Sequence, residues 1–244
     1  MGLNKRTLPK TSVSGYTPEP NILAHLDLNN TNSYSGSGST ITDLTGNGYN
    51  GTISNASFTS GTPNYLNFSG TSTSNVIINS NNPSFSPNSG NITFMFWMYK
   101  TITNYATFVS KGTISSYEVD INVGFGGGIN SPYRATYYRS TGSATAVAYS
   151  TVTQTLNTWV NVAVVYDDNV DRVRVYLNGT KIVTSAVYGG RTISANTGFL
   201  KIGGRNDNNH SFTGRFAELK MFSAPLSDSE ILTSYNLNKS IYGH

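Results

Sequence analysis

The chain contains no cysteine among its 244 residues. That absence excludes disulfide scaffolding, thiol nucleophiles, thiolate zinc sites and iron–sulfur ligation together. Stability must then come from a packed core or from a hard metal. Charge is scarce as well: Asp, Glu, Lys and Arg make up 11% of the sequence, about half the usual share. No stretch approaches the ~18 apolar residues of a membrane span, and the opening MGLNKRTLPKTSVSGYTPEP holds no apolar run of signal-peptide length. Neither membrane insertion nor a signal peptide is therefore expected in this chain. Histidine occurs only at positions 25, 210 and 244, no two within ten residues, which leaves a histidine-pair zinc site without support. No G-x-S-x-G elbow accompanies them for serine chemistry. Gly126-Gly127-Gly128 lacks the Lys-Ser/Thr of a phosphate loop and reads as a hairpin turn.

What the sequence does have is Gly, Ser, Thr and Asn in quantity, 37% hydrophobic residues and 12% aromatics, with 16 tyrosines. Enough apolar and aromatic surface is present to offset ordering entropy, so the chain is expected to fold. The net charge of +4 is uneven. Lys5, Arg6 and Lys10 fall in the first ten residues with no acid among them, which leaves 13 basic against 12 acidic residues for the rest. Nucleic-acid binding through the body is therefore not expected. Residues 1–20, with Pro9, Pro18 and Pro20, read as an extended basic arm, and residues 21–244 as one body.

Along the body, short alternating segments are separated by Gly, Asn, Ser and Pro. The clearest strands are 91–99, 116–125, 134–140, 159–167, 171–180, 198–204 and 214–223, with 22–28, 64–70 and 74–80 weaker and 30–60 mostly loop. Near the end the period becomes helical. Ser227 followed by Glu230 forms a capping-box pattern that predicts one short helix over 228–236. The fold class that follows is all-β, an antiparallel sandwich with one short C-terminal helix; parallel α/β designs are excluded.

Four segments in order carry a resemblance. They are Asp43-Leu44-Thr45-Gly46-Asn47-Gly48-Tyr49-Asn50-Gly51-Thr52, the core-strand pattern Ile92–Met98, the hairpin Trp159–Tyr166 with Val173–Gly179, and the ending Lys201–Arg205, Phe212–Phe222 and Leu226–Ile231. Together they resemble the laminin G-like and pentraxin-like jelly rolls of the concanavalin A-like lectin/glucanase superfamily. Trp97 and Trp159 sit inside apolar alternation and suit an intersheet core, and Asn178-Gly179 suits a turn with positive φ. The superfamily includes lectins, enzymes, adhesion modules and structural domains, so the fold does not fix an activity.

Glu118-Val119-Asp120-Ile121-Asn122 resembles the first half of the superfamily's E-x-D-x-x-E glucanase strand. Retaining hydrolysis needs two carboxyl groups about 5–5.5 Å apart. The position for the second glutamate holds Asn122 or Val123, and a carboxamide cannot cycle a proton, so no catalytic residue is expected. The resemblance also implies calcium, for which the oxygen ligands on offer are Asp27, Asp43, Asn47, Asp207 and Glu218; no cofactor is otherwise required. Alternation sends Glu118, Asp120 and Asn122, Arg134 and Tyr138, and Arg172, Arg174 and Tyr176 outward, a set of acids, guanidinium groups and rings suited to sugar hydroxyls and pyranose faces.

The function expected is that of a non-enzymatic binding or structural module. It resembles jelly rolls displayed on virions as capsid decorations or tail and fibre parts, with glycans as ligands and the arm residues Lys5, Arg6 and Lys10 attaching it to a capsid or fibre scaffold. An extracellular adhesin or lectin on a microbial cell surface, and a divergent glycoside hydrolase, are the alternatives.

Overall fold

The computed structural model of the chain describes residues 13–78, 91–113, 116–123, 133–138, 144–187 and 198–244. Lys5, Arg6, Lys10 and the Gly126-Gly127-Gly128 turn lie outside the described residues. Two antiparallel sheets face each other. In spatial order the first holds β14 (Thr180–Thr184), β13 (Arg172–Leu177), β12 (Trp159–Asp167), β7 (Ile92–Lys100), β16 (Thr213–Phe222), β5 (Tyr65–Ser69) and β4 (Ser57–Thr59). A further strand, β1 (Ile22–Asp27), pairs with β16 beyond the end of β5. The second sheet holds β11 (Ala144–Tyr149), β10 (Tyr133–Tyr138), β9 (Ser116–Val123), β8 (Ala106–Thr113), β15 (Leu200–Ile202), β6 (Asn75–Ile78), β3 (Gly51–Ser54) and β2 (Thr40–Ile41).

Period-two alternation builds the core between the sheets. On β7, Ile92, Phe94, Phe96 and Met98 meet Phe108, Val109, Ile121, Ala135, Leu200 and Ile202 from the facing sheet. The opposite side of β7 carries Met95 and Trp97, which belong to a second apolar cluster beneath the C-terminal helix α1 (Asp228–Asn236) and a short 3-10 turn (Lys239–Tyr242). Trp97 and Trp159 are thus core residues, as expected, but of this outer cluster and not of the intersheet layer. Helix α1 starts where the capping box places it: the Ser227 hydroxyl accepts from the Glu230 amide, and the Glu230 side chain accepts from the Ser227 amide.

Strands β2, β3 and β4 arise in the stretch read as mostly loop, because their Ser and Thr residues carry no apolar period. Gly51 on β3 is required by packing, since a Cβ there would come within 2.8 Å of Val76. Asn178 and Gly179 have φ of 48° and 76°, the two positive values that a tight hairpin between β13 and β14 requires.

One strand departs from simple alternation. A bulge at Ala217 shifts the register of β16 against β7 from Phe216↔Met98 to Glu218↔Trp97. Arg215, Glu218 and Lys220 thereby occupy one face, although the first two are an odd three positions apart.

Among the charges that face inward, Lys100 closes β7. It is 1% exposed, donates to the Asn104 carbonyl and Oδ1 at 2.6 and 2.9 Å, and burial pushes its ammonium down to about 7. An unfolded lysine binds its proton up to ~10.4, so native stability should rise as pH rises from about 7 towards 10. Lys100→Met is expected to abolish that slope and to gain about 1–2 kcal/mol at pH 7, the lost Asn104 hydrogen bonds offsetting part of the relieved charge burial. Urea titrations of both proteins at pH 7 and 9.5 check this; parallel pH dependences would refute it.

Candidate functional site

The outer face of the first sheet is laid out in cross-strand rows. One runs Trp159, Tyr99, Arg215, Asn67; the next runs Asn161, Trp97, Glu218, Asp27; a third runs Ala163, Met95, Lys220, His25. Helix α1 and the 3-10 turn cover the middle of this face. Tyr242 stacks on Trp97 with centroids 3.9 Å apart and planes 8° from parallel, Tyr235 stacks from 5.7 Å, and the indole N–H donates to Asn238 Oδ1 at 3.4 Å.

Under the same cover lies a buried ionic cluster. His25 Nε2 is 2.8 Å from Glu218 Oε1, Asn238 donates to Glu218 Oε2 at 2.6 Å, and Lys220 Nζ stands 2.6 Å from Glu19 and 3.7 Å from Glu218. Burial raises the Glu218 carboxyl, but Lys220 and the hydrogen bond from His25 outweigh it and bring the group down to about 2. Asp27 moves the other way, raised by burial and by the neighbouring Glu218 charge. Glu19 and Tyr16, both within the expected arm, dock here, Tyr16 Oη lying 2.9 Å from His25 Nδ1. Residues 13–20 are therefore seated on the body, with the Val13 amide donating to the Leu44 carbonyl.

The expected calcium ligands do not form one site. Asp27 and Glu218 face each other and, with His25, place three ligand atoms within 4.8 Å of one another. Lys220 already supplies a cation there, and both Glu218 oxygens accept protein hydrogen bonds. Asp43 is held by the amides of His25, Thr45 and Tyr49 and by the Thr45 hydroxyl, so it latches its own loop. Asn47 donates to the Leu23 carbonyl, and Asp207 pairs with Arg205 at 3.3 Å in the loop after β15. Among the described residues no shell of six oxygens assembles, and this donor set does not fit calcium.

The expected sugar-binding residues divide between the layers. Arg134 is on β10 of the second sheet, where the register puts Asn122 opposite it and Asp120 opposite Thr136. The Arg134 guanidinium lies 5.5 Å from the Tyr149 ring. The side chains of Glu118, Asp120, Asn122 and Tyr138 are outside the described residues. Arg172, Arg174 and Tyr176 are on the first sheet and face outward as expected, but they are engaged in packing. Tyr176 is 1% exposed and donates to Asp228 at 2.7 Å; Arg174 pairs with Asp167 at 3.0 Å; Arg172 donates to the Ser185 carbonyl at 2.7 Å. These three dock α1 and the sheet edge, which removes them as an open sugar platform.

The open part of this face is elsewhere. Beyond the edge of the helix, Arg215 is held between two tyrosine rings, its guanidinium carbon 4.6 Å from the centre of Tyr65 and 4.3 Å from that of Tyr99. Both rings lean on Trp159, at 6.0 and 5.5 Å, and Trp159 leans on Tyr242 at 5.4 Å. All three of Tyr65, Tyr99 and Arg215 are half-buried. Among the described residues the Arg215 guanidinium donates no hydrogen bond and meets no carboxylate. Asn67, beside it in register, uses its amide N–H on Thr59 at 2.9 Å. A fixed cation with N–H groups to offer, flanked by rings, is equipped to bind a ligand.

The family model of the concanavalin A-like lectin/glucanases superfamily, in its laminin G form, matches residues 69–232. The chain belongs to this superfamily. Among curated proteins no sequence matches the chain. Three solved structures share the superfamily's jelly roll with it. The binding domain of Paraclostridial Mosquitocidal Protein 1 superposes with a TM-score of 0.67 at 17% identity, over 88% of this chain and 52% of that one. Domain 4 of AbnA, a GH43 extracellular arabinanase from Geobacillus stearothermophilus, in complex with arabinotriose, gives 0.64 at 17% identity, over 87% and 97%. Trypanosoma rangeli sialidase gives 0.63 at 16%, over 93% and 35%. The chain thus spans about half of the mosquitocidal binding domain and about a third of the sialidase. At these identities the likenesses establish the fold. Trp97, Trp159 and Glu218, all inside the matched range, help to seat the C-terminal segment.

Proposed function

We propose that the protein is a non-enzymatic glycan-binding module whose ligand site is the Tyr65–Arg215–Tyr99 strip. The carrying observation is the half-buried Arg215 whose guanidinium meets two rings and no protein acceptor among the described residues. Ring faces pack on pyranose C–H surfaces, while guanidinium and amide groups bond the oxygens. The setting we propose is the surface of a virion, as a capsid decoration or a tail or fibre part. Supporting it are the cysteine-free sequence, the Ser/Thr/Asn/Tyr-rich low-charge composition, and the basic residues Lys5, Arg6 and Lys10 ahead of the body, which would attach it to a protein scaffold.

A glycan array probed with the full chain, run beside a turnover assay on β-glucans, tests the reading. Saturable binding without product release is expected, and deletion of residues 1–12 should leave binding intact. Turnover that disappears in Glu118→Gln would establish a hydrolase instead.

A further inference from the structure

We infer that the Tyr65–Arg215–Tyr99 strip binds the carboxylate of an acidic saccharide, an inference that rests on the glycan-binding reading above and names its ligand class. Among the described residues, the other Lys and Arg side chains on the outer face of the first sheet's strands are paired or hydrogen-bonded by the protein, Arg172 to the Ser185 carbonyl. Lys220 meets Glu19 and Glu218, Arg174 meets Asp167, and Lys181 meets Asp228 at 2.6 Å. Among the described residues, the Arg215 guanidinium meets only the rings of Tyr65 and Tyr99. A guanidinium flanked by rings that offer its N–H groups no strong acceptor keeps its fork for a ligand, and a planar fork matches a planar carboxylate through two parallel hydrogen bonds.

The local charge balance points the same way. The nearest carboxylates on the face, Asp27 and Glu218, lie one cross-strand row away, where Glu218 bonds His25 and Asn238 and Asp27 accepts from Asn29 at 2.9 Å. A neutral sugar docked on the strip would cover the Arg215 charge without compensating it, which disfavours it against an acidic one. Rings on both sides restrict the Arg215 side chain before any ligand arrives, so little rotamer freedom is lost on binding. The Asn67 carbonyl, beside Arg215 in register, is placed to accept from a ring hydroxyl of the same sugar.

Calorimetric titrations of the full chain with trigalacturonate, with sialyllactose and with the methyl ester of each test this, alongside a sulfated oligosaccharide. At least one free acid should bind while its ester binds about ten- to a hundredfold more weakly, the scale of a charge-assisted pair. Arg215→Met should weaken acid binding by a similar factor while the protein stays folded, its melting temperature falling by no more than the few degrees that two cation–ring contacts supply. If Arg215→Met does not fold, Arg215→Lys keeps the charge and the stem but not the fork, and should still lose several-fold. Which acid responds identifies a uronate or a sialate as the source. Equal binding of acid and ester, a preference for the sulfated ligand, or binding indifferent to Arg215 would overturn the carboxylate assignment while leaving a glycan-binding module standing. No binding by any saccharide, acidic or neutral, would overturn both.

Discussion

Trp97→Ala is expected to release the C-terminal segment from the body and to cost about 3–5 kcal/mol, the usual range for removing a buried indole. Trp97 is 1% exposed and is the piece on which both Tyr242 and Tyr235 stack. Its loss leaves a cavity between sheet and helix and removes a donor to Asn238, the residue that also bonds Glu218. For a chain of this size such a change lowers the melting temperature by roughly 10–15 °C. The effect should be local first. Helix α1 buries only Ile231, Ser234 and Tyr235, so its amides should lose hydrogen-exchange protection before those of β7 and β12. Uniform loss of protection in both regions would show that the outer cluster and the intersheet core unfold as one unit.

The distinction between these two cores shows where sequence reading succeeds and where it stops. Strong alternation in Ile92–Met98 and Trp159–Tyr166 identifies the central strands, and the Ser227–Glu230 pair places the helix, because both signals depend on local periods. A strand period says that two faces differ and does not say which of two apolar faces meets the other sheet. Both faces of β7 are apolar, since one receives the facing sheet and the other receives α1. Tyr176 looks free from the sequence because its partner, Asp228, is more than fifty residues away. Arg215 was hidden by the bulge at Ala217. Regular alternation through Gly214–Phe222 puts Arg215 and Glu218 on opposite faces, and only the extra residue brings the guanidinium onto the face of Tyr99. Glu118 and Asp120 sit on a real strand, but their role depends on side chains outside the described residues.

Glu218→Gln is expected to destabilise the protein by about 3 kcal/mol near neutral pH, within the range found when one partner of a buried charge network is removed. The carboxylate receives His25 on one oxygen and Asn238 on the other and faces Lys220, so a carboxamide both removes the charge and points an N–H₂ at a donor. Lys220 keeps Glu19, which limits the loss. The pH dependence separates this from a packing defect. Glu218 titrates at about 2 when folded, below the ordinary glutamate value of ~4.3, so its stabilisation is present above ~4.3 and is lost as pH falls towards 2. The gap between the two proteins should therefore close on acidification through that window. The other groups of the cluster set the background: Asp27, raised by burial, relieves its own penalty when it takes up a proton, and Lys220, raised by Glu218 and Glu19 against the opposing effect of burial, stays charged throughout. Chemical denaturation of both proteins at pH 7, 4 and 2.5 measures the gap directly. A gap that stays constant down to pH 2.5 would mean that Glu218 acts through shape alone, and that the C-terminal segment is held to the sheet by its stacked rings without help from the buried charges.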